Sequence, residues 1–151
     1  QETYEDAILV QTSSSTDKER RSLLKKFETK TNVKGFFVLG GVFAEGIDLV
    51  GDQLIGCAVI SVGMPGVSFE QNVMKDFFDK KQGNGFDYAY TYPGMTKIIQ
   101  AAGRVIRSAE DKGKLLLVDD RFASFKYRQM MPRHWKQIKS ISSPEDLGFS
   151  I

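Results

Sequence analysis

The chain has 151 residues, of which 41% are hydrophobic and 26% charged, and its 21 basic and 19 acidic side chains give a formal net charge of +2. This length suits one domain, and the composition excludes a disordered, collagen-like or coiled-coil chain. The longest apolar runs, 36–41 and 57–62, are far shorter than the ~20 residues that span a bilayer, so no membrane partner is expected. The single cysteine, Cys57, excludes an internal disulfide and a cysteine-built metal site, and we predict a reducing, cytoplasmic setting.

The first third of the chain alternates short apolar runs with an amphipathic stretch, which predicts parallel strands covered by helices. Residues 8–10 predict a short buried strand, and Thr16 can cap the helix that follows. Three apolar side chains recur at helical spacing in that helix: Leu23, Leu24 and Phe27. A second strand is predicted at 36–39, ended by two glycines.

The rest of the chain continues the same alternation. We predict a strand at 58–62 and a helix over 69–81 that packs on the sheet through Phe69, Val73, Phe77 and Phe78. A second helix should follow Pro93 and turn inward Met95, Ile98, Ile99 and Ala102. A last strand at 115–118 leads into a turn or helix that opens at 119–122. We therefore expect an α/β domain over 1–139, with a central, mostly parallel sheet, and a loose tail over 140–151.

Two clusters follow these elements. The first is the glycine-rich stretch 40–49, in which Glu45 and Asp48 project two carboxylates from one tight turn. It fits either a ligand-binding turn or a plain strand-to-helix loop with solvated acids. The second is 100–107, in which Arg104 and Arg107 would share one face of a helix and could hold phosphate oxygens. The alternative is a surface pair bonded to Glu110 or Asp111, but Gly103 within a helix costs ~1 kcal/mol and favours the approach of a ligand.

Four motifs in order carry a resemblance: Gly-x-Phe-x-Glu-Gly-Ile-Asp at 41–48, Gly-Met-Pro at 63–65, Gln-x-x-Gly-Arg-x-Ile-Arg at 100–107, and Asp-x-Gly at 111–113 followed by Leu-Leu-Val-Asp-Asp-Arg-Phe at 116–122. Together they resemble the second motor domain of the XPD/DinG family of superfamily 2 DNA helicases, over residues 8–135. The resemblance implies a RecA-like fold of the P-loop NTPase type. The first motif corresponds to helicase motif V and the third to motif VI.

The resemblance also implies roles for individual residues. Catalysis would involve Arg107 as arginine finger, Arg104 as a second contact to the γ-phosphate, and Gln100. The nucleotide-binding set would be Glu45, Gly46, Asp48, Gln100, Arg104 and Arg107, with Asp48 near the ribose. A DNA phosphate would lie near the backbone of Gly41, Val42 and Phe43. Such an arrangement agrees with phosphoryl-transfer chemistry, in which an arginine supplied across a cleft is worth ~10³ to 10⁵ in rate.

The nucleotide-cradling half of such an enzyme has no counterpart among these 151 residues. Neither Gly-x-x-x-x-Gly-Lys-Ser/Thr nor an Asp-Glu-Ala-His box occurs. The resemblance therefore implies that ATP and Mg²⁺ are held mainly by a first motor domain of the same polypeptide, which could also carry an iron–sulfur cluster. The chain opens on Gln1 without an initiating Met, and we expect a fragment whose domain lacks its first strand and helix and which is inactive alone. Ala44 stands where family members often have an aromatic residue.

The segment 121–139 carries six basic side chains and no acidic one: Arg121, Lys126, Arg128, Arg133, Lys136 and Lys139. Three aromatic residues between them could stack on the bases of single-stranded DNA: Phe125, Tyr127 and Trp135. The alternatives are a solvated basic helix or a surface that docks onto the first motor domain.

The sequence thus predicts the second motor domain of an ATP-dependent DNA helicase that grips single-stranded DNA, with DNA repair as the family expectation. One alternative is a stand-alone nucleic-acid-binding module without ATPase activity. Another is an enzyme that uses Glu45 and Asp48 as catalytic carboxylates within this chain.

Overall fold

The structure is a computed structural model that describes residues 8–12, 14–29, 32–40, 54–105, 113–135, 138–143 and 146. Four strands lie in this part of the chain: β1 (Ile8–Val10), β2 (Lys34–Phe36), β3 (Gly56–Ile60) and β4 (Lys114–Val118). The α-helices there are α1 (Asp17–Thr29), α2 (Phe69–Gln82), α3 (Tyr92–Ala102) and α4 (Phe125–Met130). A π-helical turn (Asp87–Thr91) precedes α3, and a 3₁₀ turn (Asp120–Ala123) precedes α4.

The described strands form two parallel pairs. β1 pairs with β2, with Ile8 opposite Lys34, and β3 pairs with β4, with Gly56 opposite Lys114. In each case the two strands are far apart in the chain and a helix lies between them, which is the connection that parallel pairing requires. The predicted α/β class is therefore confirmed, with the described strands in two separate pairs.

α1 begins with a capping box. The Thr16 hydroxyl accepts from the Glu19 backbone N–H at 3.3 Å, and Glu19 Oε2 accepts from the Thr16 backbone N–H at 2.7 Å. The second of these bonds holds the pKa of Glu19 below its usual range. Further along, Leu23, Leu24 and Phe27 pack around Leu9 of β1. The helix and its inner face are as predicted.

β2 lies earlier than the predicted strand at 36–39. Its partner β1 ends at Val10, and Gln11 then forms hydrogen bonds with the backbone of Phe36 and Val38. The Gln11 backbone N–H donates to the Phe36 carbonyl at 2.9 Å, and its side-chain oxygen accepts from the Val38 N–H at 3.2 Å. Because an amide side chain replaces the neighbouring strand there, regular pairing stops at Phe36.

β3 also lies about two residues before the predicted span of 58–62. Its last backbone bond joins the Ser61 N–H to the Val118 carbonyl at 3.0 Å. Ser61 has a φ of +70°, a left-handed conformation that few residues other than glycine adopt and that cannot continue a strand. The strand therefore ends at Ile60, and β4 matches the prediction to within one residue.

α2 has the predicted span but not the predicted packing. Ser68 caps its start, and the left-handed Gly83 ends it. α2 is described in full, and none of its residues is buried. Three of the four residues expected to face the sheet are exposed: Phe69, Val73 and Phe77. The helix is attached to the π-helical turn instead, through Phe78 stacked on Tyr88 with ring centroids 4.0 Å apart.

α3 follows the π-helical turn directly and carries the main hydrophobic core. It begins one residue before Pro93, as expected for a proline in the first turn. The buried core residues are Val59, Val62, Met95, Ile98, Phe122, Tyr127 and Met131. Trp135 and Cys57 pack against this cluster and are partly buried. The cluster thus joins the β3–β4 pair, α3 and α4 in one core.

The first turn of α3 lies unusually close to the loop after β3. A methyl group at Gly94 would lie 2.6 Å from the Val62 carbonyl oxygen and 3.3 Å from the Met64 backbone nitrogen. Both neighbours are backbone atoms, so neither can turn away as a side chain could. Only glycine permits this approach.

Replacing Gly94 by alanine should therefore destabilise the fold. We expect the free energy of unfolding to fall by about 1–3 kcal/mol, the usual cost of overpacking, although alanine is the better helix former. Gly66→Ala is the control, because a methyl group there meets no atom within 4 Å, and it should change stability by less than about 0.5 kcal/mol. Urea denaturation followed by circular dichroism measures both, and equal stabilities would contradict the close approach.

Candidate functional site

α3 has a polar side that faces away from the core. The core side carries Gly94, Met95, Ile98 and Ala102. At 100° per residue, the opposite side carries Thr96, Lys97 and Gln100, and Arg104 follows in the turn after the helix. Lys97, Gln100 and Arg104 are here called the polar stripe. Gln100 is exposed, and Lys97 and Arg104 are half-buried. The stripe presents amide and cationic donors in a row, which suits an anionic ligand.

The end of the polar stripe is fixed by buried neighbours. Arg104 lies in the turn after α3, where its backbone N–H donates to the Ala101 carbonyl at 3.1 Å. The next residue, Val105, is buried and packs against Gly113, just before β4. The backbone of Arg104 is therefore fixed by contacts on both sides, although Arg104 lies in the turn after α3 rather than within the helix. Gly103 is the C-cap of α3 and not a residue within the helix, so the helical cost that favoured the approach of a ligand there does not arise.

The polar stripe begins beside the residue that leads into the glycine-rich motif. A methyl group at Gly40 would lie 3.2 Å from Lys97 Cδ and 3.5 Å from Lys97 Nζ. Gly40 has a φ of +81° and immediately precedes 41–48. The residue that precedes the first motif therefore lies beside the helix in which the third motif begins, although Gly40 and Lys97 are more than fifty residues apart in the chain.

Several predicted site residues lie outside the described residues: Gly41, Val42, Phe43, Glu45, Gly46, Asp48 and Arg107. Gln100 and Arg104 are described and belong to the polar stripe. Lys97 was not predicted as a site residue. Its spacing of three and seven residues before Gln100 and Arg104 is the sequence signal that could have identified it.

A second polar group lies after β4, where Arg121 forms a fork on Asp119. Arg121 Nε lies 2.8 Å from Asp119 Oδ1, and Nη2 lies 2.8 Å from Oδ2. Asp119 Oδ1 also accepts from the Arg121 backbone N–H at 3.0 Å and so caps the 3₁₀ turn. These bonds, led by the guanidinium, hold the pKa of Asp119 below its usual range. In the sequence, the pattern Asp-x-Arg directly after a strand is the signal that could have indicated this pair.

Part of the basic segment 121–139 is bound to the protein itself. Besides Arg121, Lys126 forms an ion pair with Asp87 of the π-helical turn. Arg128 Nη2 donates to Ser140 Oγ at 2.8 Å. For these three side chains the structure favours the structural alternative over free DNA-binding charges.

The three aromatic residues in that segment differ in exposure. Tyr127 is buried in the main core, and Trp135 packs against it and is partly buried. The expectation that Tyr127 stacks on bases is therefore wrong, whereas stacking by Trp135 stays a prediction. Phe125 is 76% exposed and keeps that possibility.

Other chemical groups in the described part of the chain are few. Burial raises the pKa of the Cys57 thiol, as expected for a small apolar core side chain rather than a nucleophile. Among the described residues no group of three His, Cys, Asp or Glu side chains could hold a metal ion. None of the helices described here has the length and apolar character needed to cross a membrane.

Comparison with known proteins places these features in a fold and a family. Two solved structures, titled XPD helicase and XPD apo, match 82% of this chain with TM-scores of 0.65 and 0.63 at 22% identity. The chain covers 23% and 26% of those structures. They show that the fold is the RecA-like α/β fold.

The family model described as helicase C-terminal domain matches residues 1–138. The chain therefore belongs to the helicase C-terminal domain family, and within it to the XPD/DinG helicases.

Three curated relatives are similar over much of the chain. A probable ATP-dependent helicase of Methanocaldococcus jannaschii is 29% identical over 75% of this chain. The ATP-dependent DNA helicase DinG of Photobacterium profundum is 32% identical over 58% of it. The XPD helicase subunit of the general transcription and DNA repair factor IIH of Dictyostelium discoideum is 29% identical over 75%. The chain spans only 18%, 13% and 14% of these relatives' lengths.

The Asp119–Arg121 pair should make stability depend on pH. A carboxyl group whose pKa is lowered in the folded state adds stability above its unfolded pKa of ~3.9 and loses it as the pH falls through the folded pKa. We expect Asp119→Asn to lower the free energy of unfolding at pH 7 by roughly 0.5–1 kcal/mol, a modest value because the Arg121 side chain is 46% exposed. The difference in the free energy of unfolding between wild type and Asp119→Asn should begin to shrink below about pH 4 and disappear once the pH is below the folded pKa of Asp119.

Denaturant unfolding between pH 2 and pH 8 measures this dependence. Asp120→Asn, which removes the same charge at the neighbouring position, is the control and should not reproduce it. A destabilisation by Asp119→Asn that stays constant down to pH 2 would contradict the ion pair.

Proposed function

We propose that this chain is the second motor domain of an ATP-dependent DNA helicase. In the whole protein it would act on ATP bound by a first motor domain of the same polypeptide and would grip single-stranded DNA. The observation that carries the proposal is the contact between Gly40 and Lys97. It brings the residue that leads into the glycine-rich motif next to the polar stripe, so that the chain entering the proposed DNA-binding turn would lie beside the helix that leads to the proposed phosphate-binding arginines.

The chemistry of the polar stripe fits ATP hydrolysis across a cleft. Gln100 offers hydrogen-bond donors on the side of α3 away from the core, Arg104 lies in the turn after the helix, and Arg107 follows three residues later. In phosphoryl transfer the protein mainly positions groups and stabilises charge. We assign Arg107 as arginine finger, Arg104 as a second γ-phosphate contact, and Gln100 as a contact to the nucleotide.

The glycine-rich motif would connect this nucleotide to DNA. We assign Glu45, Gly46 and Asp48 to the nucleotide side, and the backbone of Gly41, Val42 and Phe43 to a DNA phosphate. A backbone N–H next to glycine can approach a phosphate closely. The relative from Photobacterium profundum bears the name ATP-dependent DNA helicase, which supports DNA as the substrate.

The cofactors follow from the same division of roles. The first motor domain would supply the main contacts to ATP and Mg²⁺, and any iron–sulfur cluster would belong to that part of the protein. The relative from Dictyostelium discoideum bears the name of a DNA repair factor, which supports a role in repair. The cytoplasmic setting and the domain bounds of 1–139 and 140–151 stay predictions from the sequence.

The 151-residue chain by itself should not hydrolyse ATP, because its arginines would have no cradled phosphate to act on. Purified chain, incubated with ATP, Mg²⁺ and a single-stranded oligonucleotide, should release phosphate at the background rate. A steady, DNA-stimulated release would overturn the division of roles, and its loss in Glu45→Gln would favour catalysis by the carboxylates of the motif.

In the full-length protein, Arg107→Ala should lower kcat for ATP hydrolysis by about 10³ to 10⁵, the usual worth of an arginine finger. The affinity for ATP should change much less, since the finger acts mainly on the transition state. Steady-state hydrolysis and equilibrium binding of a fluorescent ATP analogue measure the two effects. Arg21→Ala, an exposed arginine on α1, is the matched control.

Equal losses of binding and turnover in Arg107→Ala would indicate a structural role instead. A full-length protein that binds single-stranded DNA but never hydrolyses ATP would favour the stand-alone nucleic-acid-binding module.

A further inference from the structure

The loop after β3, residues 61–64, contacts both Leu39, which precedes the glycine-rich motif in the chain, and the first turn of α3. We propose that this coupling loop transmits displacement between the glycine-rich motif and α3, and that Arg121 is the positioning residue that holds it. The inference rests on the proposed function. It adds residues outside the motifs at 41–48 and 100–107, which would link the DNA-binding side of the domain to its nucleotide-binding side.

On one side, the coupling loop touches the segment that leads into the glycine-rich motif. A methyl group at Gly63 would lie 2.5 Å from Leu39 Cδ2, so the Leu39 side chain covers Gly63 directly. Leu39 also packs against the main core, which leaves it little freedom to move independently. A shift of the chain at 39–40 therefore presses on the coupling loop.

On the other side, the coupling loop touches the first turn of α3. The Val62 carbonyl oxygen and the Met64 backbone nitrogen face Gly94 without room for a methyl group. Val62 is itself buried in the core beside Ile98. Because the contact is backbone against backbone, a movement of the loop is passed to α3, and α3 carries Gln100 and leads to Arg104.

Arg121 holds the coupling loop from the side of β4. Its guanidinium is fixed by the two bonds to Asp119, and Nη2 also donates to Ser61 Oγ at 3.4 Å. Nη1 lies 3.9 Å from Met64 Sδ. Arg121 thus contacts both ends of the loop, and its planar fork cannot be replaced by a flexible lysine without losing one of these contacts.

The backbone conformation of Ser61 suits a loop that can adopt two positions. Ser61 is held in a left-handed conformation, which costs a residue with a Cβ free energy and persists only when the surroundings enforce it. The bond from Arg121 is part of those surroundings. Weakening it would let Ser61 adopt other conformations while Val62 stays packed in the core, and a displacement at 39–40 would then be absorbed by the loop instead of being passed to α3.

The test uses the full-length protein and compares ATP hydrolysis with and without a single-stranded oligonucleotide. In Arg121→Gln the DNA-stimulated kcat should fall by about twofold to thirtyfold, the range that substitutions along coupling networks produce. The unstimulated kcat, the KM for ATP and the affinity for the oligonucleotide should stay within about twofold. A purely structural role would lower the unstimulated rate as well.

A second variant guards against a failure of Arg121→Gln to fold. Ser61→Gly removes the hydroxyl and tolerates the left-handed φ, so the midpoint of urea unfolding should stay the same or rise. DNA stimulation should nevertheless fall, because the loop loses both its bond to Arg121 and its stiffness. Arg21→Gln, which removes an exposed arginine on α1 outside the basic segment, is the matched control and should keep full stimulation.

The outcomes separate the two proposals. Stimulation that is normal in Ser61→Gly and in a folded Arg121→Gln overturns the coupling loop and leaves the proposed function intact. Stimulated and unstimulated rates that fall together in Ser61→Gly also overturn it. A wild-type protein that hydrolyses ATP at the same rate with and without DNA removes the proposed function, and the coupling loop with it.

Discussion

The structure depends on one close approach, that of the first turn of α3 to the Val62 carbonyl oxygen. Because Gly94 adds no side chain, the helix comes near enough for Met95 and Ile98 to fill the space above β3. Ile98 is fully buried, and Phe122, Tyr127 and Met131 close the same core from the β4 side. Protein interiors are packed too tightly to absorb a separation of even one methylene without loss. The orientation of α3, and with it the polar stripe, is therefore set at its beginning rather than at its end.

Residues of the candidate site lie where the described strands end. Gly40, Ser61 and Asp119 each follow the carboxyl end of a parallel strand, and that edge is where open α/β sheets bind ligands. α3 lies against this edge because its first turn packs on the Val62 carbonyl oxygen. Its outward face is polar. Under the proposed function, such an edge would present charge to a nucleotide held by another domain.

The sequence predicted the elements better than their contacts. The span of α2 could be predicted because Ser68 and Gly83 mark its ends. Apolar periodicity indicates only that one face of a helix is apolar, not what that face contacts. α2 instead contacts the π-helical turn through the stacking of Phe78 on Tyr88. β2 is displaced because the side chain of Gln11 replaces a strand partner, which no propensity encodes. In the candidate site, motif spacing identified Gln100 and Arg104, whereas the contact of Lys97 with Gly40 and the fork of Arg121 on Asp119 depend on the folded geometry.

The position of the only tryptophan has a practical consequence for watching this domain unfold. Trp135 packs against the core that contains α3, whereas Leu9 and Phe27 belong to a separate apolar cluster with no tryptophan among its described members. Indole emission is therefore a local reporter of the α3 core and is blind to the β1–α1 region. If the emission and the far-ultraviolet ellipticity of this chain change at different denaturant concentrations, the two clusters melt as separate cooperative units.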